Sequence, residues 1–73
     1  MTLTSAPIGT ALVLTSSGLD ATTDRQLRAL GIRPGARLSL VRRLPGGMGI
    51  VSVEGARVVM DAALMSGLTV EPA

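Results

Sequence analysis

The side chains that most often carry catalysis are missing from this chain, which contains no histidine and no cysteine. Without imidazole or thiolate there is no Ser-His or Cys-His nucleophile, no thiolate metal site and no disulfide. Five carboxylates remain for acid-base work: Asp20, Asp24, Glu54, Asp61 and Glu71. They are scattered along the sequence with no paired spacing, the pattern of acids used as helix caps and for solvation. The sequence therefore predicts no catalytic residue, no metal ligand and no cofactor.

The basic residues point elsewhere. All seven are arginines, giving a formal net charge of +2. The high isoelectric point, about 11.2, reflects missing Lys, His and Tyr more than a strong positive field. There is no aromatic residue on which a base could stack, so nucleic-acid binding is not indicated. Arg42 and Arg43 adjoin at the end of an expected strand and so face opposite sides of it. They read either as partner contacts or as charges guarding a sheet edge. Pro45 and the loop Gly46-Gly47-Met48-Gly49 follow. Three glycines beside two arginines suggest a phosphate cradle, but that device requires a Lys and a following helix, and here there is no Lys and a strand follows. Met48, adaptable and apolar, stands among glycines that cannot bury it and reads as an exposed anchor. Arg42, Arg43, Pro45 and Met48 form the candidate partner-binding set. Arg25 and Arg28 read as a solvated helix face.

These residues must be positioned by a single small domain spanning residues 1–73, too short for a large core unless its sheet closes efficiently or copies associate. The uncharged first nineteen residues are broken by Ser, Thr, Pro and Gly, which argues against a membrane span or an export signal. Absence of cysteine is compatible with a reducing cytoplasm, the expected location. After a polar start, Pro7-Ile8-Gly9 reads as a turn and Ala11 to Ser16 as a strand. Thr23 and Gln26 fit a reciprocal capping box opening a helix from Asp24 to Leu30, with Asp24 and Arg28 paired one turn apart. Leu27 and Leu30 are expected to share the packed face. Gly31 closes the helix in a left-handed conformation, Ile32 plugs back beneath it, and Pro34-Gly35 turns the chain into the next strand.

That strand alternates through Leu38 and Leu40 to Leu44. Ile50 to Val53 and Ala56 to Met60 form a hairpin across Glu54-Gly55. Asp61 caps a helical turn ended by Gly67, Met60 and Met65 fill the core, and Leu68-Thr69-Val70 is a last strand. The fold class expected is mainly β: a curled barrel of about five strands, with one short helix after the first strand and a helical turn before the last.

With Leu27-x-x-Leu30-Gly31-Ile32-x-Pro34-Gly35 and this order of elements in hand, the chain resembles the FeoA family of small SH3-like barrels nearly end to end. Pro7-Ile8-Gly9, Arg25-Gln26-Leu27, Val41-Arg42-Arg43-Leu44-Pro45, Val51-Ser52-Val53-Glu54-Gly55 and Leu68-Thr69-Val70 carry the match. Gly46-Gly47-Met48-Gly49 departs from the family's Gly-Asp-Pro character, and Met60-Asp61 stands where an apolar-Arg pair is common. The resemblance implies a non-enzymatic cytoplasmic accessory of ferrous-iron uptake, binding the GTP-hydrolysing cytoplasmic region of an FeoB-type transporter and reaching the membrane only through it. Any iron chemistry would belong to that partner, because a selective ferrous site takes imidazole with carboxylate. The alternative is a stand-alone SH3-like interaction domain related to those of iron-dependent transcription repressors. Homo-oligomers are compatible with either reading.

Overall fold

Period-two burial defines the strands. In the computed structural model, which describes residues 1–73, Leu12 and Leu14 are buried on β1 (Leu12–Ser17), and Leu38 and Leu40 on β2 (Arg37–Arg43). Val51 and Val53 are buried on β3 (Gly49–Val53), Met60 on β4 (Ala56–Met60), and Leu68 and Val70 on β5 (Leu68–Pro72). All neighbours are antiparallel, in the order β4-β3-β2-β1-β5. Register shifts at Leu14/Ser16 and Leu40/Arg42 bend the sheet, as bulges do by adding local twist. The radius of gyration is 10.6 Å, close to the roughly 11 Å of a compact folded chain this long.

β5 pairs with β1 and extends one edge of the sheet. The roll is completed instead by α2 (Ala62–Gly67), which packs on β4, β5 and the N-terminal segment. Asp61 caps α2, its Oδ1 accepting from the Leu64 N–H at 2.8 Å. Met60 is fully buried, so both members of the unusual Met60-Asp61 pair are structural.

The Leu27–Gly35 turn behaves as its sequence demands, with one exception. α1 runs Ala21–Ala29. The Ile32 N–H donates to Leu27 O at 2.9 Å and the Gly31 N–H to Arg28 O at 3.0 Å, the pair of bonds that closes a helix through a left-handed residue. Gly31 has φ +83°. Leu27 is 6% exposed and Ile32 1%, the apolar contact that accompanies this closure. Leu30 is the exception, 65% exposed. The helix has ended at Ala29, Leu30 is the capping residue, and the reversal at Gly31 hands its expected core position to Ile32.

Two further expectations are corrected. The cap of α1 is Asp20, whose carboxylate accepts from the Thr23 N–H at 3.2 Å, so Thr23 lies inside the helix and the Thr23–Gln26 box does not form. The polar start is a packed segment: Leu3–Ser5 makes a single 3-10 turn with Leu3 and Ala6 wholly buried. Met1 and Thr2 pair with β5 at Val70 and Thr69. Two other local expectations hold. Arg28 Nε donates to Asp24 Oδ2 at 3.0 Å, and Glu54-Gly55, with φ of 50° and 88°, forms the tight turn between β3 and β4.

Candidate functional site

The candidate residues lie where β2 leaves the sheet. The bulge after Leu40 resets the alternation so that Arg42 stands opposite Ile50 and Arg43 opposite Gly49. Beyond them the Leu44 N–H donates to Met48 O at 3.0 Å. This bond closes a small loop whose middle, Pro45–Gly47, is one 3-10 turn. Gly46 and Gly47 have φ of 80° and 81°, conformations that side-chain-bearing residues seldom adopt. A Cβ on Gly47 would stand 3.2 Å from Ala62 Cβ, so the loop lies directly on the start of α2.

A hollow of about 170 Å³ opens between this loop, α2 and the N-terminal segment, lined by Thr4, Arg43, Leu44, Gly47, Met48 and Met65. Gly49 packs closely behind the lining residue Met65: a Cβ there would stand 2.7 Å from Met65 Cε and 3.2 Å from Leu40 Cδ1. Met65 is buried and Met48 exposed. Leu44, Met48 and Met65 supply a thioether-rich apolar lining, able to repack around an inserted apolar side chain.

Two of the four candidates, Arg43 and Met48, therefore share the hollow. Arg42 and Pro45 are exposed beside it and do not line it. The Arg43 guanidinium also holds the fold together: Nε and Nη2 donate to Thr4 O at 3.3 and 3.1 Å, and Nη2 donates to Ala6 O. This clasp ties the N-terminal segment to β2 across the mouth of the hollow. The Arg42 side chain makes no hydrogen bond or ion pair within the chain. Thr4 and the clasp were not foreseen from the sequence; the only local signal was the i, i+3 spacing of Leu3 and Ala6.

No carboxylate lines the hollow. Asp20 and Asp61 are caps and Asp24 is paired with Arg28, whose hydrogen bond holds the Asp24 carboxyl below its usual range, with a further contribution from Ser17. Glu54 accepts from the Arg37 N–H at 3.2 Å. No group of three His, Cys, Asp or Glu side chains comes together to hold a metal ion. What this geometry offers is a recess for an apolar side chain beside a free arginine. No helix is long and apolar enough to cross a membrane.

The FeoA domain family model matches residues 1–72. Among solved structures, the chain is similar to the FeoA protein of Chlorobium tepidum at 29% identity and TM-score 0.89, covering 99% of this chain and 70% of that one. It is also similar to the Stenotrophomonas maltophilia FeoA complexed with zinc, at 29% identity and TM-score 0.78, over 97% and 89% of the two chains. That protein is described as a prokaryotic SH3 domain protein and a candidate activating factor for ferrous iron transport. A manganese-dependent transcriptional repressor matches in fold, at 20% identity and TM-score 0.89, over all of this chain and 41% of the repressor. No curated protein sequence matches.

Proposed function

The chain belongs to the FeoA domain family, and from that premise we propose that it is a non-enzymatic accessory of ferrous iron uptake, acting by binding the GTP-hydrolysing cytoplasmic region of an FeoB-type transporter. The reading requires a cytoplasmic location. Its main support is the hollow at the end of β2, where Met48 is presented on a glycine loop beside the unpaired Arg42. An apolar anchor ringed by polar groups is how interaction surfaces concentrate binding energy. Such a module changes its partner only by binding one conformation better than another.

Calorimetric titration of that cytoplasmic region, nucleotide-free and GTP-loaded, tests the reading. Binding should weaken on Met48→Ser and Arg42→Glu while the folding midpoint stays in place, and one nucleotide state should bind more tightly. No heat of binding at several hundred micromolar, or variants that bind like the parent, would refute it.

The fold likeness to the manganese-dependent repressor supports a second reading, a stand-alone SH3-like domain serving a transcription regulator. α1 and α2 are separated by three strands and form no helix-turn-helix, so residues 1–73 would serve as the interaction part and not as the DNA reader. Recovery of the chain with a DNA-binding protein, and not with the transporter, would favour it.

A further inference from the structure

The two edges of the sheet are treated differently. β5 is covered by the N-terminal segment, with Thr2 bridged to Thr69 and the Val70 N–H donating to Met1 O at 2.7 Å. β4 is bare. It ends the strand order, its register with β3 runs unbroken from Val53/Ala56 to Gly49/Met60, and it contains no proline and no bulge. Proline and bulges are two of the devices by which proteins blunt an exposed edge; β4 has neither, and the one charge it carries is the exposed Arg57.

The turn fixes which backbone groups point outward. With positive φ at both Glu54 and Gly55, Val53 and Ala56 form the hydrogen-bonded pair that flanks a two-residue hairpin turn. Alternation then makes Val51/Val58 and Gly49/Met60 bonded pairs as well. The N–H and C=O groups of Arg57 and Val59 are left aimed away from β3. Their side chains share the outer face of the sheet: Val59, 60% exposed, lies beside half-buried Ile50, and Arg57 beside Ser52.

Arg57 makes no side-chain hydrogen bond and no ion pair; the sole ion pair in the chain is Asp24–Arg28. Four of the five acids are already engaged, two as caps, one by Arg28 and one by the Arg37 N–H. A second copy would therefore bring β4 another arginine and no carboxylate of its own β4.

We propose that β4 is the docking edge for an extended segment of a partner protein that pairs antiparallel with it, placing a carboxylate opposite Arg57 and an apolar side chain opposite Val59. In the partner's own direction this is an apolar-x-acidic sequence, because an antiparallel strand meets Val59 before Arg57. The ladder supplies the affinity and the two side-chain positions the selectivity. The surface lies on β4, apart from the hollow at the end of β2, and the inference does not depend on which protein occupies that hollow.

The probes are the blocked peptides Ser-Thr-Val-Thr-Glu-Thr-Ser and its Glu-to-Lys counterpart, titrated into the isotope-labelled full chain and followed by amide chemical shifts. The acidic peptide should shift the Arg57 and Val59 amides and slow their hydrogen exchange. Arg57→Glu should weaken it by about fivefold and bring the Lys peptide to the affinity lost, the expected size of a cross-strand charge reversal. Val59→Pro removes an outward N–H without breaking the bonds to β3, and should abolish binding with the folding transition retained. Absence of shifts on β4 at millimolar peptide, or equal binding of both peptides, would overturn the proposal. So would concentration-dependent shifts of the same amides without peptide, which would make a second copy the occupant.

Discussion

Replacing Gly31 by Ala isolates the backbone requirement of the helix closure from packing. A Cβ built at Gly31 meets no heavy atom within 4 Å, while φ is +83°. The substitution therefore creates no clash with a neighbour, and its cost is that of holding a side-chain-bearing residue in the left-handed region, about 1–2 kcal/mol. Ala also restricts the unfolded chain, which offsets about 0.4–1 kcal/mol of that. The net loss is about 1 kcal/mol against a total of roughly 4–11 kcal/mol for a domain this size. With a urea dependence of about 1 kcal/mol per molar, the unfolding midpoint should fall by about 1 M, followed by backbone circular dichroism. Gly31→Asn should lose less, since Asn enters this region more readily. Gly18, whose φ is not left-handed and whose added Cβ would sit at an ordinary 3.7 Å from Gly67 O, is the control: Gly18→Ala should be neutral or slightly stabilising. A Gly31→Ala midpoint equal to the parent's, or a loss matched by Gly18→Ala, would refute the assignment of the closure to a left-handed Gly31.

Asp20→Ala and Asp61→Ala should each cost about 1 kcal/mol by thermal or urea unfolding, since each removes the acceptor for a helix-start N–H. The Asp24 carboxyl should titrate below 3.8 by carbon-detected NMR. Because its folded value is depressed, its stabilising contribution is present above 3.8 and is lost as pH falls through the folded value; Arg28→Gln should raise the midpoint and flatten that part of the pH profile. Gly49→Ala should destabilise by about 1–3 kcal/mol by driving a methyl group against Met65 and Leu40. Combined with Met65→Ala it should cost less than the sum of the two. Arg43→Met should release the N-terminal segment, read as faster hydrogen exchange at the Val70 N–H that bonds to Met1 O.

What was legible in the sequence was local chemistry with one solution. A glycine after a short amphipathic helix, followed by Ile32, specified the closure and its apolar plug, and Asp61 before a run of helix formers specified a cap. Misreadings arose where one local rule fitted two registers. Asp20 with the Thr23 N–H and Thr23 with Gln26 are both three-residue capping spacings, and the structure uses the first, lengthening α1. Helical periodicity also placed Leu30 on the packed face, although it lies in the residue that ends the helix. The N-terminal segment was illegible for a different reason: its order comes from partners far along the chain, Arg43 clasping carbonyls 37 and 39 residues away and Val70 pairing with Met1. The hollow inherits that property. Its methionines were visible as adaptable apolar residues, but Thr4 reaches its wall through contacts 39 residues apart in sequence.

If the loop at the end of β2 is a protein-binding surface, a partner must perturb it residue by residue. Amide and methionine-methyl spectra of the labelled chain, recorded while the soluble GTP-hydrolysing region of the transporter is added, test this. Leu44, Met48, Gly49 and the Met65 methyl should shift saturably, with Leu27 and Ile32 unmoved. Saturable binding that leaves those four unchanged, or no change anywhere at millimolar partner, would contradict that role for the loop.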